Sequence, residues 1–194
     1  MQLKRMFSTD AVKGTRGYLR TQKNYEILRT VLYFAISLAL FIAGWVSTGS
    51  RENLLTIVAV LGCLPACKSL VEMFMYLRYK GCDERDAALI EAHTQGLTGL
   101  YDCVFTSYEK NFCIHHLIVC GNTICGYTAD PKFEEQAFYK HIQAILKKDN
   151  YRETSVKIFN DLDKYVKRCE QLKELPPQPE LTSGICQTLK SVSL

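Results

Sequence analysis

A long apolar stretch without charges is the feature that most constrains this chain. Residues 30–50 form 21 consecutive positions with no charged side chain, and most of them are Leu, Ile, Phe, Val or Ala. As an α-helix rising about 1.5 Å per residue, the stretch would reach roughly 30 Å, the thickness of a bilayer's hydrocarbon core. No clear small-residue cleavage site follows it, so we interpret it as a retained transmembrane helix rather than a signal peptide.

A second apolar stretch follows after a loop of about four residues. Residues 53–67 are uncharged, and the predicted span covers about 53–77. Two spans joined by so short a loop form a hairpin over residues 30–80, which places both chain ends on one side of a membrane. We expect an integral protein of the cell inner membrane with both termini in the cytoplasm, because positive charge accumulates on the cytoplasmic side.

The positive charge is concentrated in residues 1–29, which we predict to be a cytoplasmic juxtamembrane segment. The net charge is +5 over residues 1–30 and −3 over residues 81–194. A basic excess beside an apolar span favours a lipid bilayer as the partner, whereas a nucleic-acid partner is not expected. The basic side chains expected at the membrane surface are Lys4, Arg5, Lys13, Arg16, Arg20, Lys23 and Arg29.

Small residues at helical spacing predict close packing between the helices, with an oligomer interface as the alternative. The candidates are Ala35, Ala39 and Ala43 on the first span and Ala59, Gly62 and Ala66 on the second.

Three further positions in the second span are unusual for a transmembrane helix. Pro65 predicts a kink, because proline removes a backbone hydrogen bond. Lys68 and Glu72 are four residues apart and therefore share a helix face, where we expect a local ion pair near the headgroups. An oligomer contact and an ion or proton path are the alternatives for this charged pair.

Residues 81–175 have the pattern of a small cytoplasmic α/β domain, which makes the chain an α+β membrane protein. The predicted order is helix, three strands, helix, strand and helix, with a tight turn at Gly121-Asn122 between the second and third strands. Pro176, Pro177 and Pro179 predict the end of the last helix. Residues 176–194 are expected to be a flexible C-terminal tail.

This order resembles the core of restriction-endonuclease-like domains, over roughly residues 83–172. The resemblance implies an acidic residue near the second strand and an acidic-x-Lys pair on the third, which together hold a divalent metal. The third strand here contains Ile124, Cys125, Gly126 and Tyr127, and neither strand offers a carboxylate or a lysine at those places. Since hard metal ions need oxygen ligands, the resemblance implies a scaffold that lacks the nuclease chemistry.

Nine cysteines are scattered through the chain, and in a reducing compartment we expect no disulfides. Five side chains within 13 residues make a possible metal site, namely Cys113, His115, His116, Cys120 and Cys125. Strand alternation would place Cys113 and His115 on the face opposite His116 and Cys120, which favours buried thiols over a metal. Either histidine could titrate near neutrality. No cofactor is expected.

The sequence has no complete catalytic motif, since it contains neither Gly-x-Ser-x-Gly nor a glycine-rich phosphate loop. We therefore expect a membrane-anchored, non-enzymatic protein that presents a recognition domain at the cytoplasmic face and assembles as a homo-oligomer. Its ligand would be a cytoplasmic protein or a small molecule. Two alternatives stay open: a ligand-gated, channel-like membrane effector, and a membrane-tethered hydrolase with a nuclease fold.

Overall fold

The chain is an α+β protein with two long apolar helices followed by a small mixed sheet. The computed structural model describes residues 13–50, 53–151 and 153–194. The elements are α1 (Tyr18–Thr48), α2 (Leu54–Arg78), α3 (Glu84–His93), β1 (Thr98–Thr106), β2 (Asn111–Cys120), β3 (Thr123–Tyr127), α4 (Glu135–Lys148), β4 (Ser155–Phe159), α5 (Leu162–Lys173) and α6 (Pro179–Val192).

The helices α1 and α2 are both long and apolar enough to cross a membrane. Only 17% of the residues in the most apolar part of each helix are buried, whereas the core helix of a soluble protein is mostly buried. The amide of Asn53 organises the turn between them: its Oδ1 accepts the Thr56 N–H at 2.8 Å, and its Nδ2 donates to Thr48 Oγ1 at 2.9 Å. Asn53 is thus the N-cap of α2.

The chain divides into two compact units, the helical hairpin Leu19–Lys80 and a sheet domain that contains Gly81–Leu194. The described residues 13–18 belong to the sheet domain. Tyr101 donates its N–H to the carbonyl of Gly14 at 2.8 Å. Within the predicted juxtamembrane segment 1–29, Gly14 is thus hydrogen-bonded to the sheet, and residues 18–29 lie in α1.

The hydrogen bond between this segment and β1 requires a small residue at position 14, which is Gly14. Its φ is +81°, a conformation that other residues rarely adopt. A Cβ at this position would also lie 2.9 Å from Cδ2 of Leu100. A larger residue would therefore strain the backbone and push the segment away from β1.

The sheet has the strand order β1-β2-β3-β4. The first three strands are antiparallel neighbours, and β4 is parallel to β3. Gly121 (φ +53°) makes the tight turn that joins β2 to β3, as predicted. The helix α4 connects the two parallel strands. The predicted order of helices and strands through residue 173 is confirmed.

Two apolar layers cover the sheet. Helices α4 and α6 pack on one face, where Phe138 and Leu189 join the strand residues Phe105 and Ile114. Helices α3 and α5 cover the other face, where Ile90, Tyr165 and Cys169 meet Ile118 and Cys125. Both faces of the sheet are therefore covered by helices, which is why the apolar runs of β1 and β2 are nearly continuous.

The predicted tail is wrong for residues 179–192, which form α6. Ile185 and Leu189 of this helix are fully buried against the sheet. Beyond α6, the Leu194 N–H donates a backbone hydrogen bond to the Val104 carbonyl at 2.9 Å. Pro179 occupies the first turn of α6, where proline has no hydrogen bond to lose, so it starts a helix here rather than ending one.

Candidate functional site

The two helices of the hairpin meet through small side chains. Ala59 and Ala66 of α2 are buried, and a Cβ on Gly62 would lie 2.9 Å from Ser37 Oγ of α1. The small residues predicted on α2 therefore lie on its side facing α1. Close approach of this kind lets backbone atoms pack where larger side chains would hold the helices apart.

The predicted packing face of α1 is wrong. Ala35, Ala39 and Ala43 are all exposed and point away from α2. The contact face of α1 instead uses Ser37 and Gly44, which are buried. The exposed face of α1 has small residues four positions apart and the contact face has two that are seven apart, so helical spacing alone does not identify the face that meets α2.

A buried polar cluster joins the helices nearer their other ends. Arg29 of α1 is its centre: the guanidinium Nη2 lies 2.5 Å from Oε2 of Glu26 and is also paired with Oε2 of Glu72 on α2. The Arg29 Nε donates to Ser69 Oγ at 3.3 Å, and Ser69 Oγ lies 2.9 Å from Thr30 Oγ1. One guanidinium therefore links two carboxylates and a hydroxyl pair across the helix contact.

Gln22 completes the cluster one turn before Glu26. Its Nε2 donates to Glu26 Oε1 at 3.0 Å. Gln22 is 1% exposed and Glu26 is 3% exposed. Within the part of the chain that the structure describes, Gln22 Oε1 and Glu26 Oε2 have no hydrogen-bond partner, although Arg29 forms an ion pair with the latter oxygen.

The ion pair predicted between Lys68 and Glu72 is present, but Lys68 is not the main partner of Glu72. Lys68 Nζ lies 3.9 Å from Glu72 Oε1, and the Lys68 side chain is 80% exposed. Glu72 is held mainly by Arg29, a partner that sequence reasoning missed. The signal was available, since Arg29 and Glu72 lie almost equally far from the loop in an antiparallel hairpin. Pro65 lies within α2, which continues through it, and the predicted kink stays a prediction.

The basic residues predicted at the membrane surface take different positions. Lys4 and Arg5 lie outside the described residues. Lys13 Nζ donates to the Ser193 carbonyl at 2.9 Å, and Arg16 pairs with Glu91 at 2.9 Å, both within the sheet domain. Arg20 is exposed on α1 and Lys23 is half-buried there. Arg29 is not at the surface, because it faces the two carboxylates between the helices.

The five candidate metal ligands do not form a metal site. In the described ranges, no three His, Cys, Asp or Glu side chains come close enough to hold a metal ion. The Ala129 N–H donates to His115 Nδ1 at 3.1 Å, and His116 Nδ1 lies 2.7 Å from the Tyr165 hydroxyl. Cys113 and Cys120 are half-buried, and Cys125 is buried.

The predicted alternation of β2 fails at its two histidines. The His115 ring lies 6.1 Å from Tyr127 and the His116 ring 5.9 Å from Tyr165, and these two tyrosines stack on each other. Both histidines therefore lie beside one tyrosine pair. The pairing between β1 and β2 is interrupted at this point: Asp102, which has φ +54°, and His115 opposite it are both skipped between the pairs Tyr101–His116 and Cys103–Ile114.

Burial governs the protonation of this region. It lowers the pKa of His116 to about 3 and raises the pKa of the Cys113 thiol to about 12. It also lowers the pKa of His115, against the opposing charge of Asp102. Near neutral pH His116 is a neutral ring and Cys113 is a thiol, so neither acts as a charged catalyst or a thiolate ligand.

The described part of the sheet domain has clefts on its surface. A cleft of about 830 Å³ lies between the β1–β2 turn and the start of α4, where Lys110 and Glu134 form an ion pair beside His141. A second cleft of about 490 Å³ is lined by Cys120 and Thr182. Small-molecule sites typically enclose about 300–1,000 Å³, so both clefts are large enough for a ligand.

Comparison with known proteins adds no relative: no family model, curated protein or solved structure matches this chain. The structure alone therefore defines the class of this chain. It is an α+β chain in which two apolar helices, long enough to cross a membrane and joined by a buried ion cluster, precede a small four-stranded mixed-sheet domain.

Proposed function

We propose that this chain is a membrane-anchored, non-enzymatic recognition protein. The hairpin would cross the cell inner membrane with both termini in the cytoplasm, and the sheet domain would bind a cytoplasmic protein or a small molecule there. The observation that carries the proposal is the exposure of large apolar side chains on both helices, including Val46 (80%), Leu54 (76%) and Leu64 (68%). Apolar surface on this scale is costly in water, and lipid removes that cost.

Alkaline extraction of membranes tests the anchor. The tagged full chain should stay in the membrane pellet and dissolve only in detergent. The matched control is the double variant Leu38→Lys with Leu61→Lys, which should be released, because a charge in the middle of a span costs about 2.5–3.5 kcal/mol. Release of the unmodified chain by alkali would contradict the proposal.

A homo-oligomer is the second part of the proposal. It is supported by Ala35, Ala39 and Ala43, which are exposed on α1 and so available to a neighbouring copy. Light scattering with detergent subtraction should give a mass of several chains, and Ala39→Leu should reduce it. A monomeric mass for the unmodified chain would contradict the proposed homo-oligomer.

A ligand-gated membrane effector is the second candidate, favoured by the buried charges around Arg29. Charged groups within a span often mark an ion or proton pathway. The test is ion flux into liposomes that contain the full chain, with Lys68→Gln as the variant. Flux that needs Lys68 would support a conducting oligomer, and absent or unchanged flux counts against it.

A membrane-tethered hydrolase is the remaining alternative, and it depends on a restriction-endonuclease-like topology for the sheet domain. The parallel placement of β4 beside β3, across the α4 connection, supports that topology. The strands β2 and β3 contain no carboxylate and no lysine. We expect no cleavage of DNA or RNA with Mg²⁺ or Mn²⁺, and cleavage would replace the non-enzymatic proposal.

A further inference from the structure

The cleft lined by Cys120 and Thr182 lies between the end of β2 and the segment that joins α5 to α6. It encloses about 490 Å³. Its wall is apolar at Val119 and Leu172, which are each 1% exposed, and at Leu175, which is 44% exposed. An apolar wall that is still open to solvent suits the body of a small organic molecule.

Two polar side chains at the start of α6 meet beside this cleft, at the turn made by Gly121. Thr182 is 8% exposed, and its hydroxyl oxygen accepts the Gly121 N–H at 3.0 Å. Gln178 makes no side-chain cap bond, and a Cβ on Gly121 would lie 2.9 Å from its Oε1. Within the described residues, the Thr182 hydroxyl donates no hydrogen bond of its own. Because buried donors normally have an acceptor, this hydroxyl is available to a ligand.

The charge of the lining favours a negative ligand. Of the described residues that line the cleft, Lys173 is cationic and none is a carboxylate. Glu170, three residues earlier on α5, is paired with His93 at 2.8 Å. The Leu172 carbonyl at the end of α5 already accepts the Cys120 thiol at 3.6 Å. The helix α6 begins at the cleft, and a helix N-terminus carries partial positive charge.

We propose that this cleft binds a small amphipathic carboxylate. The apolar body of the ligand lies against Leu172 and Leu175, and its carboxylate accepts hydrogen bonds from Lys173 and Thr182. A cationic ligand would be repelled by Lys173, and a purely apolar one would leave the Thr182 donor unpaired. The inference rests on the proposed recognition role of the sheet domain and names the class of small molecule that it would bind.

Protection of Cys120 from alkylation by N-ethylmaleimide tests the site in the full chain, purified in detergent. Mass spectrometry of peptides identifies each alkylated cysteine. The probes share one ring system and differ in charge: 2-naphthoate, the neutral 2-naphthamide, and 2-naphthylmethylamine. At about ten times its dissociation constant, 2-naphthoate should slow alkylation of Cys120 by about tenfold, and the amine should not slow it. Cys67, exposed on α2, is the internal control and should keep its rate.

Substitutions of Lys173 test the charge. Lys173→Gln should weaken binding of 2-naphthoate by about tenfold, because it removes a charge-assisted hydrogen bond. Lys173→Glu should reverse the preference, so that the amine protects Cys120 and the carboxylate does not. The matched control is Lys167→Gln, at an exposed position of the same helix outside the cleft, which should bind like the unmodified chain.

Absence of protection by 2-naphthoate would overturn the site, and equal protection by all of the probes would overturn the carboxylate class. Equal slowing of Cys67 and Cys120 would place the probe in the detergent rather than in the cleft, which also overturns the site. If Cys120 does not react without a probe, methyl resonances decide. Those of Leu175 and Thr182 should shift with 2-naphthoate while those of Leu89, on α3, do not, and unchanged resonances overturn the site.

These outcomes are distinguishable from failure of the membrane anchor. A chain that stays in the membrane pellet but shows no protection keeps the proposed anchor and loses this ligand. A chain that is protected but released by alkali keeps the cleft and loses the anchor.

Discussion

At the residue scale, His116 is a histidine that folding keeps neutral. It is 1% exposed, its Nδ1 is bonded to the Tyr165 hydroxyl, and its ring lies 4.2 Å from that of Tyr101. Protonation would place a charge between two rings without a carboxylate partner. The sheet domain therefore accepts a proton on His116 only by opening.

This arrangement predicts a specific dependence of stability on pH. The pKa of His116 is about 3 in the folded state and about 6.5 in an unfolded chain. The unfolded state therefore binds the proton first, and stability falls as the pH drops from about 6.5 toward 3, by up to about 1.4 kcal/mol per pH unit. Thermal unfolding of the full chain in detergent, followed by circular dichroism, measures the slope.

His116→Gln is the comparison for that slope. It should lower the midpoint at neutral pH and flatten the slope across this range, because the titrating group is gone. Equal slopes for the two proteins would show that His116 does not control the acid sensitivity.

Arg29 is the second residue whose substitution we expect to change stability strongly. Its removal leaves the buried carboxylate of Glu26 without its cationic partner, and breaking a buried pair in this way costs about 3–5 kcal/mol. We expect Arg29→Gln to destabilise the hairpin strongly and Lys68→Gln to change stability by less than about 1 kcal/mol, because Lys68 is exposed. Unfolding midpoints of the two variants in the same detergent make the comparison, and similar midpoints would contradict this role for Arg29.

At the element scale, α1 and α2 pack closely because the residues of α2 at their contact are small. Ala66 is completely buried at that contact, whereas Ala39 on α1 is exposed. Ala66→Leu should overpack the contact and cost about 1–3 kcal/mol. Val46→Leu enlarges a side chain that is 80% exposed on α1 and lies outside the proposed oligomer contact, so it should leave the hairpin's unfolding midpoint unchanged. Equal losses in both variants would mean that the contact face is assigned wrongly.

The helix α6 gives a second prediction at this scale. Leu189 is fully buried on the sheet, so Leu189→Ala should destabilise the sheet domain by about 2–5 kcal/mol through the cavity it leaves. Gln187→Ala, on the exposed side of the same helix, is the matched control and should have little effect. Hydrogen exchange of the strand amides in the full chain reads out the difference, and unchanged protection in Leu189→Ala would contradict the packing of α6.

The same elements show how far sequence reasoning reaches. Apolar length predicted both long helices, and turn residues such as Gly121 predicted the β2–β3 connection, because these signals are local. The prediction of a flexible tail was wrong because a proline such as Pro179 can mark either the end or the beginning of a helix, and the sequence does not tell the two apart. The Arg29–Glu72 pair was missed because these residues meet only once the two helices pack. The shared surroundings of His115 and His116 were missed because the pairing of β1 with β2 is interrupted at Asp102, and neither strand's sequence marks that interruption.

At the scale of the whole molecule, an apolar helical hairpin precedes a sheet domain that has clefts on its surface. Both helices are long enough to span a bilayer and expose apolar side chains. The turn between them is short and capped by Asn53. Together these features favour insertion as one hairpin, which would leave the sheet domain and the N-terminal segment on the same side of the membrane.

The most direct test of that claim is the topology of the chain in a bacterial inner membrane. Green fluorescent protein and alkaline phosphatase are fused in turn after Leu194 and after Ser50, in the turn. The account predicts fluorescence without phosphatase activity at Leu194, and phosphatase activity at Ser50. Phosphatase activity at Leu194 would place the sheet domain outside the cytoplasm, and its absence at Ser50 would show that α1 does not cross, so either result would contradict the account.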